Sequence, residues 1–598
     1  MKTLQYQIED FLEIKSSTNA SFSPDGNQIA FLSNLSGVNQ IYLISRNGGE
    51  TEQLTDYKEP VSFAYFCPTK NEIIFGMAKG GNEKTQFFIF NIASKSVHPV
   101  TNQPEAIHRF GAWSYDGKFI TYSSNVRNGT DFDIYVMEIE TGISRLVFNE
   151  GGWCDSLGFS PTGKKVVVRK RHTFQYHDFY IINLENGNIE LLTPDKEKTT
   201  LGFPDWLPNE SGFFFTSNKE RDFDGLSFFD LKVKNSRYVL APQQEVEGIS
   251  MTLDGQNLAV TINEGGYRTL TIYDTSSFKP LLNQSFSKGL ISGLQWSSDG
   301  KYLAFTFSSA TKNADVWIWS KDENKHRQLT HSPSLIPEEV FVEPKLVHYP
   351  SFDGLQIPAF IFLPKVNSKL NKLQTIVYIH GGPEGQYRPG FDSLIQYFVY
   401  SGYAVVAPNV RGSSGYGKKY LALDDIEKRM DSVTDLQYLH EFLEQDGRID
   451  SNKVVLMGAS YGGYMTLAGL AFYPELWAGG VDIVGFSNLV SFLENTSPWR
   501  RAMREAEYGY LATNRKFLES ISPLNFIENI KVPLFIIHGA NDSRVPLSEA
   551  EQIYMKLKEI GKKAELLVYQ DEGHSLGKLK NRLDAYPKIV DFLDSVLK

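Results

Sequence analysis

The sequence predicts a two-domain chain, with an all-β N-terminal half built as a propeller and a doubly wound, mostly parallel α/β C-terminal half. Three observations carry this. At 598 residues the chain exceeds what one compact core holds. A turn motif followed by an apolar strand recurs seven times in the first 320 or so residues. After Pro350 apolar strand-like runs alternate with amphipathic helical stretches.

The propeller rests on its repeat. An aromatic-Ser-Pro-Asp-Gly turn leads into an apolar strand first at Phe22-Ser23-Pro24-Asp25-Gly26-Asn27. Variants return at Cys67–Asn71, Trp113–Lys118, Phe159–Lys164, Trp206–Gly212, Met251–Gly255 and Trp296–Lys301. The turn positions 26, 71, 117, 163, 212, 255 and 300 lie 43 to 49 residues apart. Each turn feeds a strand such as Ile29–Ser33, then a polar loop, then an aromatic-rich strand such as Gln40–Ile44 or Asp315–Trp319. Asp-Gly between strands marks a hairpin, and this period with several strands per unit marks a propeller blade. Seven units give a seven-bladed β-propeller over residues 15–330. Residues 1–14, containing Ile8-Glu9-Asp10-Phe11-Leu12, are expected to pack as a short helix against the C-terminal half.

In that half, strand-like runs fall at Thr375–Ile379, Ala404–Ala407, Val454–Met457, Leu534–Ile537 and Glu565–Val568. Helix candidates include Asp431–Gln445 and Glu549–Ile560, the second closed by Gly561. Fully apolar strands alternating with helices imply a parallel sheet covered on both faces. Four prolines between Pro333 and Pro350 mark residues 331–350 as a linker, leaving 351–598 as the α/β domain.

Composition narrows the function classes. A net charge of −10 argues against nucleic acid or an anionic membrane surface as the main partner. No window nears the roughly 18 uninterrupted apolar residues of a membrane helix, and the first ten residues hold no apolar signal-peptide core. Only Cys67 and Cys154 occur, which fits a reducing compartment better than secretion, with a disulfide between them as the alternative. A cytoplasmic protein is the expectation.

The chemistry is carried by Gly458-Ala459-Ser460-Tyr461-Gly462-Gly463, which follows the strand Val454–Met457 and precedes a helix-like stretch over Tyr464–Tyr473. By chance a Gly-x-Ser-x-Gly would occur about 0.3 times in such a chain, so the bare motif says little. At a strand end before a helix it is the nucleophile elbow of an α/β-hydrolase, and Ser460 is the candidate nucleophile. A serine hydroxyl needs a base and an orienting carboxylate, in the chain order Ser, acid, His. His574 is the only histidine after the acid candidates; His380 and His538 come too early and His440 lies in an amphipathic helix. Asp542 follows the buried strand Leu534–Ile537 and is the candidate acid, whereas Asp571 and Glu572 lie too close to His574 to orient it. The oxyanion donors are expected to be the N–H of Tyr461 and, from the Gly-rich loop after Ile376–Ile379, the N–H of Gly382.

With these residues placed, the chain resembles the prolyl oligopeptidase family of serine peptidases, and among its branches most the acylaminoacyl-peptidase and oligopeptidase branch. The resemblance spans nearly the whole chain. It rests on His380-Gly381-Gly382-Pro383, Asn409–Gly417, Gly458–Tyr464, Asp542-Ser543-Arg544-Val545-Pro546 and Glu572-Gly573-His574. It implies hydrolysis of short, unfolded peptides screened by the propeller, and a hydrogen bond from Arg544 to a substrate carbonyl, for which a structural ion pair is the alternative. It also implies a specificity pocket in the segment holding Val484, Phe486, Trp499 and Tyr508. Dipeptidyl peptidases of the family carry Trp before the serine and prolyl oligopeptidases proper carry Asn after it. Ala459 and Tyr461 stand here, disfavouring both subtypes, and Val410 replaces a usual aromatic. No glutamate pair for a free N-terminus is identifiable in the propeller; Glu338-Glu339 reads as solvated surface.

The expected function is a serine peptidase, an oligopeptidase, acylaminoacyl-peptidase or aminopeptidase-like enzyme, working through an acyl-enzyme. The alternative is an amide or ester hydrolase acting on a small non-peptide or aminoacyl-conjugate substrate, and a third reading is a catalytically dead scaffold. No metal-ligand spacing or cofactor fingerprint occurs, so no cofactor is expected, and a homo-oligomer is left open.

Overall fold

The computed structural model describes residues 5–194, 197–281, 286–365 and 372–598; residues 1–4 of the expected N-terminal segment lie outside these. Seven antiparallel sheets, each made from one contiguous stretch of chain, follow one another from Ser17–Phe22 to Lys325–Gln328 as the blades of a seven-bladed propeller. Six blades have four strands, and the blade spanning Glu245–Asp274 has three described ones.

The repeated turn has a physical basis. In the first blade the Ser23 hydroxyl donates to Asp25 Oδ1 at 2.6 Å and accepts the Gln28 N–H at 3.0 Å. The Gly26 N–H donates to the Ser23 carbonyl at 2.8 Å, from a φ of 68° that favours glycine. Ser114 with Asp116, Thr252 with Asp254 and Ser297 with Asp299 repeat the hydroxyl–carboxylate bond. At the fifth turn the left-handed position belongs to Glu210 (φ 54°), while Gly212 already opens the strand Gly212–Ser217. The first and last blades close the ring by lying side by side: the Ser17 N–H bonds Ala314 O at 2.8 Å and Ser298 Oγ bonds Pro24 O at 2.9 Å.

The C-terminal domain is an eight-stranded sheet. Its order is Lys345–Pro350, Gln356–Phe362, Ala404–Pro408, Leu373–Ile379, Ile449–Ala459, Gly479–Ile483, Leu534–Gly539, Ala564–Tyr569. The first two strands join antiparallel, and from Ala404–Pro408 onward neighbours run parallel. The expected linker 331–350 therefore contains the sheet's first strand. Pro350 ends an edge strand, where a missing N–H costs no ladder bond, so its breaker signal misleads.

Alternate residues along the strands face opposite layers. Val377, Val406 and Leu456 pack with Leu436 and Leu439 of helix Arg429–Gln445 and Leu467 of helix Tyr461–Phe472. Ile376, Val405 and Val455 pack with Phe398 of helix Ser393–Tyr400 and Ile589 and Leu593 of helix Leu579–Leu597. The short helix Ile8–Leu12 joins this second layer, with the Phe11 ring 5.3 Å from that of Tyr397. Cys67 and Cys154 are buried free thiols, so the disulfide alternative does not form. Among the described residues no helix is long and apolar enough to cross a membrane.

Candidate active site

Ser460 sits at the tip of the strand Ile449–Ala459 with φ 59° and ψ −118°, a strained conformation for a residue with a side chain. The flanking glycines make that turn possible. A Cβ on Gly458 would lie 2.3 Å from Gly462 O, and one on Gly462 would lie 2.1 Å from Ile379 O. The following helix begins already at Tyr461, so the Tyr461 N–H belongs to a first turn with no intrahelical acceptor. The Tyr461 phenol is buried, accepting from Arg429 at 3.0 Å and sharing a bond with Ser432 at 2.9 Å. This fixes the start of the helix. The His380-Gly381-Gly382 loop lies against the serine: a Cβ on Gly381 would be 3.3 Å from Ser460 Cβ. Gly382 (φ 146°) lines the same cavity as Ser460, and its carbonyl accepts from Arg504 at 2.9 Å.

The candidate base and acid meet the serine in one line. His574 Nε2 lies 2.9 Å from Ser460 Oγ, and His574 Nδ1 lies 2.7 Å from Asp542 Oδ2. The other Asp542 oxygen accepts the N–H groups of Arg544 at 2.8 Å and Val545 at 3.0 Å, which aims the carboxylate. Burial works to raise the Asp542 pKa. The His574 hydrogen bond and charge, the Val545 N–H and nearby His538 outweigh it and hold the carboxyl below its ordinary value. His538 itself is buried, 2.9 Å from Val545 O, and burial pushes its pKa down. The rejected carboxylates are occupied elsewhere: Asp571 pairs with Lys578 and Lys580, and Glu572 accepts from Gly577, Lys578 and Asn581.

A cavity of about 860 Å³ opens over Ser460 and His574, walled on one side by the propeller. Glu83, on a loop of the second blade, accepts from Ser543 Oγ at 2.7 Å and from Arg544 Nε at 2.7 Å. The ion pair considered for Arg544 is thus present, on the cavity wall, across the two domains. Trp499 lines the cavity, edge-on to Phe132 at 5.7 Å and Trp153 at 5.3 Å. Val484 and Phe486, expected beside it, are core residues and not part of that lining. Val484 bonds back to Ile537 O at 2.8 Å, turning the chain inward, and the Phe486 ring stacks between Tyr464 at 5.0 Å and Phe492 at 4.3 Å. Tyr508 is buried under the Arg429 and Arg504 guanidiniums. Glu338 and Glu339 are not part of the cavity lining, and Glu338 faces Lys312 at 3.6 Å.

Glu83, His108 and Arg109 are lining residues that the sequence did not single out. The one signal was Gly80-Gly81 beside Glu83, a glycine pair where the chain makes a close approach. Among the described residues one group of carboxylates, Asp424, Asp425 and Glu507, is close enough to hold a metal ion. Arg429 already bonds Asp424 and Glu507 and supplies the positive charge there.

A sheet of this order with a serine on the turn after its fifth strand, covered by a propeller, defines a serine hydrolase of the α/β-hydrolase fold. Residues 389–598, the greater part of the α/β domain, match the model of the prolyl oligopeptidase family, and the comparisons indicate a serine peptidase. The chain is 22% identical to dipeptidyl peptidase family member 6 of Caenorhabditis elegans, over 97% of this chain and 85% of the other. It is 25% identical to dipeptidyl aminopeptidase BIII of Pseudoxanthomonas mexicana, over 78% of this chain and 77% of the other. To the acylamino-acid-releasing enzyme of Sus scrofa it is 27% identical over 42% of this chain and 36% of the other. In fold it is similar to the acylaminoacyl peptidase of Pyrococcus horikoshii, with a TM-score of 0.77 and 20% identity over 100% of this chain and 98% of the other. A puromycin hydrolase has a similar fold, with a TM-score of 0.87 and 14% identity over 99% of this chain and 97% of the other.

Proposed function

We propose that Ser460, His574 and Asp542 are nucleophile, general base and orienting acid of a peptidase that cleaves short peptides through an acyl-enzyme. The observation that carries this reading is the unbroken hydrogen-bond line from Ser460 Oγ to His574 Nε2 (2.9 Å) and from His574 Nδ1 to Asp542 Oδ2 (2.7 Å). Ser460 Oγ attacks the scissile carbonyl as His574 Nε2 takes its proton. Asp542, held ionised, accepts from Nδ1–H, fixes the tautomer and stabilises the imidazolium. The Tyr461 and Gly382 N–H groups receive the developing oxyanion, each worth about 3 kcal/mol at the transition state. His574 then protonates the leaving amine, and water, deprotonated by the same nitrogen, releases the acyl group.

The propeller acts as a screen in this reading, since the cavity between the domains has the volume of a short peptide or drug-sized molecule. Trp499 offers an apolar wall for a substrate side chain, and Arg544, tied to Glu83, keeps N–H groups for a substrate carbonyl.

Labelling with a fluorophosphonate tests the mechanism: wild-type protein should label on Ser460, and the folded Ser460→Ala protein should not. Failure of the first or labelling of the second sinks it. Comparing kcat/KM for aminoacyl, acetyl-aminoacyl and ester substrates tests the substrate class. An aryl ester or aminoacyl conjugate turned over well by an enzyme inert to every peptide moves the assignment to the alternative hydrolase.

A further inference from the structure

The charged groups on the cavity wall do not cancel. Arg504 pairs with Glu384 at 3.2 Å, Arg544 with Glu83, and Lys578 with Glu59 at 3.2 Å. Glu572 spends its carboxylate on the N–H groups of Gly577 and Lys578 and on Asn581. Among the described residues, two lining arginines remain without a carboxylate partner in ion-pair contact. Arg109, on the propeller strand His108–Trp113, has its guanidinium over the rings of Trp153 (4.2 Å), Phe132 (4.4 Å) and Trp499 (5.1 Å). Arg500, in the helix Pro498–Tyr508, stacks on Trp499 at 5.2 Å, and among the described residues its buried Nε has no acceptor. Aromatic faces hold a guanidinium in place without neutralising it. Both arginines line the cavity that holds Ser460, one from each domain.

Their surroundings make the missing partner matter. Burial, partly offset by Asp155, pushes the Arg109 pKa down to about 10. Burial together with the charges of Arg504 and Arg544, partly offset by Glu83, pushes that of Arg500 down to about 9. Both remain protonated at neutral pH, in a place that disfavours the charge. Both flank Trp499, and an anion arriving at either guanidinium recovers part of that cost and gains planar, charge-assisted hydrogen bonds. His108, on the same wall, is buried and held neutral by burial, with a pKa near 4, so it adds no charge of its own.

We propose that Arg109 and Arg500 form a carboxylate-recognition subsite, and that the enzyme selects peptides presenting a carboxylate to this wall. The inference rests on the peptidase reading above and names its substrate class. The carboxylate is either the free C-terminus of a short peptide or an Asp or Glu side chain near the scissile bond. Arg109 and Arg500 act on binding and specificity and take no part in the proton transfers.

The test uses peptide pairs matched but for one group, a free C-terminal acid against its amide and a Glu against a Gln beside the scissile bond. In wild-type enzyme at low salt, kcat/KM should favour the acid of at least one pair by about tenfold or more, and the preference should shrink as salt rises. Which pair responds tells the C-terminal carboxylate from the side chain. Arg109→Gln and Arg500→Gln should each cut the preference to about threefold or less while leaving the neutral peptide within about threefold of wild type. The corresponding Arg→Lys proteins should recover most of it. Absence of any acid preference in the wild type, or a preference that survives both Gln substitutions, overturns the subsite. Calorimetry with the Ser460→Ala protein reads the same preference without turnover, and equal affinity for both members of each pair also overturns it. Fluorophosphonate labelling and turnover of the neutral peptides keep the two readings apart, because they persist when only the subsite fails.

Discussion

Gly81 of the propeller and Gly573 of the α/β domain meet backbone to backbone. A Cβ on Gly81 would lie 2.3 Å from Gly573 N, and one on Gly573 would lie 2.0 Å from Gly81 O. Gly573 immediately precedes His574, so the propeller bears directly on the loop that presents the proposed base. Asn541 adds a second tie from the neighbouring acid loop, donating to Gly80 O at 2.9 Å. Gly81→Ala should therefore displace the His574 loop without touching the reacting groups. A shift near 1 Å is enough to cost about 100-fold in kcat/KM. The φ of 75° at Gly81 strains any side chain there as well. Circular dichroism and a melting curve would establish that both domains still fold. If the folded variant kept full activity, the propeller would not be setting the position of the base.

Removal of the acid from the proposed triad has a separate signature. Asp542→Asn keeps the shape but donates to His574 Nδ1 where the carboxylate accepts, favouring the wrong tautomer. By analogy with such substitutions in other serine peptidases, kcat should fall about 10⁴-fold. Ser460→Ala and His574→Ala should be about as damaging as the triple variant, because the three groups act as a unit. Steady-state kinetics on one good peptide checks both statements. Losses that simply multiplied from one substitution to the next would contradict a concerted triad.

Asp482 offers a pH-dependent test of the elbow's surroundings. It is fully buried on the strand Gly479–Ile483, accepts the Gly485 N–H at 2.9 Å on one oxygen and has no partner on the other. A Cβ on Gly463, in the helix after Ser460, would lie 2.3 Å from that first oxygen. Burial, with some help from Glu549, pushes the Asp482 pKa up to about 7. The folded state then holds a proton that the unfolded chain has lost above about pH 4. Stability from this group is complete below that point and is lost as pH rises toward 7. Asp482→Asn should flatten the decline of Tm between pH 5 and pH 8 relative to wild type. Asp205, Asp224 and Asp424 are also raised, so the difference between the two proteins is the readout, not the slope of either. Parallel Tm profiles would remove Asp482 as a source of the pH dependence.

The sequence carried those features whose signals are local. The Ser-Pro-Asp-Gly turns were legible because the hydroxyl, carboxylate and glycine bond within five residues, as at Ser23, Asp25, Gly26 and Gln28. The elbow was legible because Gly458 and Gly462 are needed within four residues of each other to relieve collisions around Ser460. Pro350 misled because a proline on an edge strand looks like a proline in a linker. Phe486 misled because an aromatic in the right segment has the same appearance whether it faces a cavity or, as here, stacks between Tyr464 and Phe492. Glu83 and Arg109 were invisible because their relation to Arg544 and Trp499 spans hundreds of residues and exists only once the blades and the sheet are docked.

The buried triad of Arg429, Asp424 and Glu507 gives the strongest stability prediction. All three side chains are almost wholly enclosed, and the guanidinium also holds the Tyr461 hydroxyl at the start of the helix after Ser460. Arg429→Met removes the cation and leaves two buried carboxyl groups without a counter-charge. Breaking one partner out of such a network costs about 3–5 kcal/mol. Burial already pushes Asp424 up to about 7 against the pull of Arg429, and pushes Glu507 well above its ordinary value, with Glu384 adding to it. Without Arg429 both groups should rise further and be protonated over most of the neutral range. The variant therefore pays least where protons are abundant, and its loss of Tm should be smaller at pH 5 than at pH 8. Adding Asp424→Asn should recover part of the loss at pH 8 and little at pH 5. A Tm deficit independent of pH would mean that lost packing of the long side chain, not the unpaired carboxylates, dominates this site.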